Sequence, residues 1–201
     1  MEGELKTLLL YLGSFLLGGI PFGYLIAKRL YKIDIRNQGS GNIGATNVLR
    51  TLGILPGLIV LITDLLKGAI PVTIGRAMGL PNGLYLLAGA ISVLGHCISP
   101  FLKFKGGKGV SSTFGMMAAF DPLTAVLSFL VEALFVAIWR YISLGSIAAV
   151  ISMVIFVFLK GYNIYVLIIT SLVAILVIIR HKENIKRLLE GRENKFSIRG
   201  H

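Results

Sequence analysis

Charge is scarce in this chain. Only 14% of its 201 residues are charged, too little polar surface to coat a soluble globular domain, and the mean hydropathy of +0.83 agrees. Acidic residues are scarcer still, with nine Asp and Glu against twenty Lys and Arg and a net charge of +11. In a soluble protein that excess suggests nucleic acid. Here the basic residues flank long apolar runs, where they orient the chain and attract anionic head groups or substrates, so nucleic acid is not an expected partner. Cysteine is reduced to Cys97, which excludes an intramolecular disulfide and leaves the compartment unreported. A cleavable leader is not expected either. Glu2 and Glu4 make the N-terminus acidic, the run from Leu8 to Ala27 is too long for a signal core, and no small-x-small site follows. That run reads as a retained first span. No internal repeat is visible, which argues against a transporter built from paired halves.

What is present is apolar sequence in membrane-length pieces, about 20 residues each. Six runs qualify: Leu8 to Ala27, Pro56 to Gly75, Leu80 to Ser99, Leu123 to Trp139, Leu144 to Leu159 and Tyr162 to Ile179. A shorter one, Val110 to Phe120, is closed by the turn-forming pair Asp121-Pro122. If this short segment also crosses and the N-terminus is outside, Lys28, Arg29, Lys32, Arg36, Arg50, Lys103, Lys105, Lys108, Arg140, Arg180, Lys182, Lys186, Arg187, Arg192, Lys195 and Arg199 all fall on the cytoplasmic side. Only Lys6, Arg76 and Lys160 then lie outside, with Lys67 inside a span. If it does not cross, the basic residues divide almost evenly, so the positive-inside rule selects seven spans. The expected fold is an all-α, single-domain integral membrane bundle over residues 1-201. It has seven transmembrane helices, one of them short, and its C-terminus is cytoplasmic. A helix that short falls well below the roughly 30 Å hydrocarbon core, so its cytoplasmic end should begin beneath the membrane surface and leave a basic depression. The glycines at 13, 18, 19 and 23 in the first span suit close helix packing.

Two polar loops, 32-55 and 100-110, fall on that cytoplasmic side. Gly39 to Gly44 matches G-x-G-x-x-G literally, but no βαβ unit fits between two spans and Asp64, at the ribose-binding distance, lies inside the second one. What remains is anion chemistry: glycines that let backbone amides approach, further donors on Ser40, Asn42, Thr46 and Asn47, and the forked cation of Arg50. The second loop is not a Walker motif, since Leu102 and Gly109 stand where a glycine and a Ser or Thr are required. Gly106, Gly107 and Gly109 around Lys108 are nonetheless expected to expose amides beside an ammonium at a helix N-terminus. His96, at the end of the third span, suits a base, a phosphate donor or a cap. Cys97 suits packing. Asp64 and Lys67 share a helix face and should pair, with a proton relay as the alternative, whereas Glu132 must face the bundle interior or be protonated, with a partner the sequence does not name. After the last span, 180-191 has the spacing of an amphipathic helix, with His181 and Asn184 on its apolar face.

Taken together, Ser-Gly-Asn-x-Gly-Ala-Thr-Asn-x-x-Arg at 40 to 50, Gly95-His96 with Pro100, Phe104-x-Gly-Gly-Lys-Gly-Val to 110 and His181-x-Glu-Asn-Ile-x-Arg-Leu-Leu-x-Gly to 191 resemble the bacterial acyl-phosphate-dependent glycerol-3-phosphate acyltransferases. The resemblance covers essentially the whole chain. It implies transfer of a fatty acyl group from acyl phosphate to the sn-1 hydroxyl of glycerol 3-phosphate, giving lysophosphatidate and phosphate, without metal, cofactor or acyl-CoA. The His-x-x-x-x-Asp motif of another acyltransferase superfamily is absent, because Phe101 and Lys186 stand at that spacing after His96 and His181. The implied catalytic residues are Ser40, His96 and Lys108. The implied binding residues are Gly41, Asn42, Gly44, Thr46, Asn47, Arg50, Gly106, Gly107, Gly109, His181 and Asn184. The expected setting is the bacterial inner membrane, with the site facing the cytoplasm, membrane lipids as neighbours and the protein a monomer. A transporter or channel for a phosphorylated solute, or a structural protein with a head-group surface, would use the same basic pockets without chemistry.

Overall fold

The computed structural model describes residues 2–196, and among them all regular structure is helical; Arg199 of the charge pattern lies outside the described residues. The helices are α1 (Glu2–Gly19), α2 (Phe22–Leu30), α3 (Ala45–Leu52), α4 (Ile54–Ala77), α5 (Asn82–Cys97), α6 (Val110–Phe120), α7 (Pro122–Trp139), α8 (Ile142–Leu159), α9 (Ile164–Arg180) and α10 (Lys182–Leu189). Short 3₁₀ turns at Ile35–Asn37 and Pro100–Leu102 precede the two motif loops. Four segments are long and apolar enough to cross a membrane singly: α4, α7, α8, and α5 with its 3₁₀ extension. The pairs α1/α2 and α9/α10 qualify only as bent units, and α6 is a shorter apolar helix over the residues expected for it.

The first expected span is therefore not one helix. The chain bends by 43° between α1 and α2, because Pro21 has no N–H to give and its ring crowds the carbonyl of Leu17. Ile20 N instead closes a tight turn on Leu17 O at 3.2 Å. The Ile20 carbonyl accepts from Phe22 N at 3.1 Å and also from Lys67 Nζ at 3.1 Å, and the same ammonium is 2.8 Å from Asp64 Oδ1. Lys67 and Asp64 are each only 2% exposed, so the expected pairing holds and the break in the first span supplies its third member. A second proline is handled in the same way. Pro71, inside α4, leaves the Lys67 carbonyl without its helical donor, and Ser92 Oγ donates to it at 2.6 Å from α5.

Small residues let these helices approach. A Cβ on Gly68 of α4 would stand 1.9 Å from Ser112 O of α6, and one on Gly115 of α6 would stand 1.9 Å from Leu65 O of α4. Gly18, Gly19 and Gly23 are similarly hemmed in, but Gly13 has nothing within 4 Å, so it does not share the packing role expected of the four. The core gathers Val72, Leu86, Val93, Met116, Met117, Met153 and Val157. On the side away from the motif loops, Asp121 caps α7 through Thr124 N and Oγ1 and also accepts from Lys160 Nζ at 2.6 Å. Burial works to raise its carboxyl, yet the bonds from Lys160 and Thr124 hold it below its ordinary value. The outer face of α7 is left to lipid, with Leu123, Leu130, Leu134 and Ile138 exposed.

Candidate active site

The first motif loop is pinned from below by Ile35, Ile43 and Val48, which are buried against Ala27, Val60 and Leu102. Asn47, 3% exposed, then staples it. Its Oδ1 accepts from Ser40 N at 2.9 Å, and its Nδ2 donates to the carbonyls of Asn42, Gln38 and Ile35. Gly39 must be glycine here, since its φ is +55° and a Cβ would meet Asn47 Oδ1 at 2.4 Å. Asn42 Oδ1 caps Gly44 N at 2.8 Å, and Gly41 N donates to Gln38 O. The amides of Ser40, Gly41 and Gly44 are thus committed within the loop, as is the Asn47 side chain, which corrects the expectation that they face an anion. The groups left without an internal partner among the described residues include the Ser40 and Thr46 hydroxyls, Asn42 Nδ2, the amides of Gly39, Asn42 and Ile43, and the first amides of α3 at Ala45 and Thr46. Arg36, beside this loop, is already paired to Asp34 at 2.6 Å and stacked over Tyr24.

The second loop differs from expectation in the same way. Gly106 N donates to Cys97 O and Gly107 N to His96 O, so neither amide is open to a ligand. Their carbonyls accept from Arg180 at 2.8 and 3.0 Å. Gly106 and Gly107 are glycines for packing, with a Cβ reaching 2.0 Å from His96 O and 2.1 Å from His96 Nε2 respectively. This strap projects Lys108 inward, and Gly109, in left-handed backbone at φ +87°, turns the chain into α6. His96 is 5% exposed, with Nδ1 unbonded and 3.7 Å from Asp64 Oδ1.

α10 completes the site after a 58° bend from α9. His181 Nδ1 lies 2.8 Å from Val177 O. A carbonyl only accepts, so Nδ1 carries hydrogen and Nε2 is the ring nitrogen left for a ligand. Asn184 Oδ1 accepts from Lys108 Nζ at 2.6 Å, and its Nδ2 donates to Glu193 Oε1 at 2.6 Å. Glu193 also accepts from Ser143 Oγ and Arg187 Nε. Burial works to raise this carboxyl, but bonds from Asn184, Arg187 and Ser143 keep it below its ordinary value. Burial likewise lowers the Lys108 ammonium to about 8, against the attraction of Glu193 and with help from Arg187, Arg50 and Arg180.

One cavity of about 740 Å³ joins these groups. Ser40, Asn42, Gly44, Thr46, Asn47, Arg50, His96, Lys108, Gly109, His181 and Asn184 line it, whereas Gly41, Gly106 and Gly107 do not. Ser143, Ser146, Arg187, Glu193 and Glu132 line it too and were not assigned from sequence. The serines and Glu132 sit in apolar runs with no motif around them. The cavity continues along Leu58, Leu61, Leu65, Phe114, Ala125, Val126 and Phe129. One end is cationic and rich in donors, and the other is a hydrocarbon slot between α4, α6 and α7. Among the described residues no cluster of three or more His, Cys, Asp or Glu is placed to hold a metal.

Fold and cavity together define a class: an integral membrane protein whose cationic, donor-rich chamber opens into an apolar slot, a shape that suits a ligand with an anionic head and a hydrocarbon tail. The chain belongs to the glycerol-3-phosphate acyltransferase family, whose model matches residues 8–191. Two relatives of that name are each 47% identical to it. That of Trichlorobacter lovleyi aligns over 92% of this chain and 94% of its own, and that of Aquifex aeolicus over 96% and 100%. Two crystal structures of PlsY (YgiH), an integral membrane glycerol 3-phosphate acyltransferase, share the fold. Its glycerol 3-phosphate form gives a TM-score of 0.92 at 46% identity, and its lysophosphatidic acid form gives 0.89 at 44%, each covering 96% of both chains.

Proposed function

We propose that this protein transfers a fatty acyl group from acyl phosphate to the sn-1 hydroxyl of glycerol 3-phosphate, releasing lysophosphatidate and inorganic phosphate. The observation that carries this reading is the single cavity in which Lys108, Arg50, Asn184, Ser40 and Thr46 converge beside an apolar slot. Two phosphates need several cations and donors, and one fatty chain needs a dry groove. Acyl phosphate is already a reactive mixed anhydride, so the protein's task is to fix the hydroxyl against the carbonyl and to stabilise the oxyanion and leaving phosphate. In this reading Ser40, Thr46 and the first amides of α3 hold the acyl phosphate, with Asn42, Asn47 and the loop glycines shaping their cradle. Arg50, Lys108, His181 and Asn184 hold glycerol 3-phosphate, and the chain runs between α4, α6 and α7. The C1 oxygen attacks the acyl carbon, the bond from that carbon to the phosphate oxygen breaks, and the proton leaves on the released phosphate. His96 is one side chain on the cavity wall able to take that proton instead.

The same reading includes seven crossings, with α1/α2 and α9/α10 each counted as one bent span and α6 as the short one. It places the N-terminus outside and the cavity on the cytoplasmic face of the inner membrane, in a monomer that needs no cofactor. Eleven residues in α6 rise only about 16 Å, so the Lys108 loop lies beneath the surface, as basic charge clustered on that side requires.

The test supplies the purified protein with glycerol 3-phosphate and either acyl phosphate or acyl-CoA, and measures lysophosphatidate and phosphate. Turnover with acyl phosphate alone is expected. Absence of product from a correctly inserted preparation, or glycerol 3-phosphate flux into vesicles without product, would overturn the reading in favour of transport or head-group binding.

A further inference from the structure

Glu132 has no place in the scheme above, yet it is the one ionisable residue in α7, and a carboxyl at membrane depth is costly unless something requires it. It lines the cavity. Ser146 Oγ, on α8, donates to its Oε1 at 2.7 Å, and Oε2 has no partner among the described residues. α8 comes this close because residue 145 is glycine, where a Cβ would stand 3.2 Å from Glu132 Cγ. The other intramembrane acid on the cavity, Asp64, is 2.8 Å from the Lys67 ammonium, whereas no cation lies within ion-pair reach of Glu132 among the described residues.

An ionised carboxylate only accepts hydrogen bonds, so its ligand must donate one. Of the groups the two substrates bring, dianionic phosphate and carbonyl oxygens accept, hydrocarbon does neither, and the glycerol hydroxyls donate. Position makes the same choice. Ser143 belongs to the Lys108, Asn184 and Glu193 network, bonding Glu193 Oε1 at 2.8 Å, and Ser146 lies three residues further along α8 on the same cavity wall. That is a rise of about 4.5 Å, the reach of a short carbon chain beyond its phosphate.

We propose that Glu132, aimed by Ser146, accepts the C2 hydroxyl of glycerol 3-phosphate while Lys108 and Asn184 hold its phosphate, which leaves the C1 hydroxyl unpinned to meet the acyl carbonyl. Glu132 is thereby the residue that selects glycerol over other short alcohol phosphates. The inference rests on the acyltransferase reading of the same cavity. A site built to bond a hydroxyl discriminates strongly against the analogue that lacks it.

The experiment compares kcat/KM for glycerol 3-phosphate with that for 3-hydroxypropyl phosphate, which keeps the phosphate and the primary hydroxyl but lacks the C2 hydroxyl. Both are read against one acyl phosphate in wild type, Glu132→Ala, Glu132→Gln and Ser146→Ala. Wild type is expected to favour glycerol 3-phosphate by about tenfold or more. Glu132→Ala should bring the ratio to within about threefold of one by losing rate on glycerol 3-phosphate alone, with Glu132→Gln and Ser146→Ala between. The ratio is insensitive to a poorly folded fraction, which lowers both rates equally. An unchanged ratio in Glu132→Ala, or a wild type that does not discriminate, overturns the inference and leaves the acyltransferase reading intact. A wild type that acylates neither acceptor overturns both.

Discussion

Lys108 Nζ donates to Asn184 Oδ1 at 2.6 Å across 76 residues of sequence. The bond ties the loop that starts α6 to the helix that ends the chain's last bend, and it aims the ammonium into the cavity. A phosphate held there gains a charge-assisted bond from Lys108, worth about 1.5–3 kcal/mol. Lys108→Ala should therefore lower kcat/KM for glycerol 3-phosphate by roughly tenfold to a hundredfold. Asn184→Asp should also be damaging, because it pairs the ammonium internally and sets a carboxylate against the incoming dianion. Steady-state kinetics on reconstituted variants checks both. Values within about threefold of wild type would remove Lys108 from the phosphate clamp.

The same ammonium makes the site sensitive to alkali. Burial lowers Lys108 to about 8, and the protonated form is the one that attracts phosphate. As pH rises through that value the free enzyme loses the charge, so kcat/KM for glycerol 3-phosphate should fall by up to tenfold per pH unit above it. Bound dianion raises the lysine again, so kcat should fall later than kcat/KM. Lys108→Arg, which stays charged throughout, should flatten the limb whatever its absolute rate. A limb that persists in that variant belongs to another group.

Much of this arrangement is legible in the chain because membrane physics leaves few alternatives. A largely apolar segment of eleven residues, Val110 to Phe120, closed by Asp121-Pro122 reads as the short helix α6, and an acid and a lysine three apart inside a span are placed to meet. The bend at Pro21 was harder to read, since the apolar run continues through it and only the proline signals the change. Gly106, Gly107 and Asn47 look like ligand donors because composition does not say where an amide already points. Their bonds are to His96, Cys97, Gln38 and Asn42, which are set by tertiary approach. Ser143 is hidden for the same reason: it enters the site through a contact with Glu193, 50 residues away in sequence.

The Asp64, Lys67 and Ile20 junction offers a stability test separate from chemistry. Lys67→Met would leave Asp64 buried without its ammonium and Ile20 O with Phe22 N as its one remaining donor, a loss of about 3–5 kcal/mol for a broken buried pair. Asp64→Asn with Lys67→Met removes both charges and should recover a good part of that, leaving mainly the one hydrogen bond lost at the Ile20 carbonyl. Thermal unfolding in one detergent is the measurement. A double variant no more stable than Lys67→Met would show that the two charges are not coupled.

Helix approach gives the sharpest geometric contrast. Gly115 of α6 faces Leu65 O of α4 with room for no further atom, since a Cβ would stand at 1.9 Å. Gly115→Ala must push α6 outward, and overpacking of this kind costs about 1–3 kcal/mol. Because α6 begins directly after Lys108 and Gly109, the shift also moves the ammonium relative to Asn184, so stability and kcat/KM for glycerol 3-phosphate should fall together. Gly68→Ala, against Ser112 O at 1.9 Å, should do the same from the other helix. Gly13→Ala is the control. Nothing lies within 4 Å of it, and alanine in a helix interior is favoured over glycine by up to about 1 kcal/mol, so it should leave activity unchanged and raise the unfolding temperature slightly. If Gly115→Ala unfolds no earlier than Gly13→Ala, the close crossing of α4 and α6 is not what holds the cavity in shape.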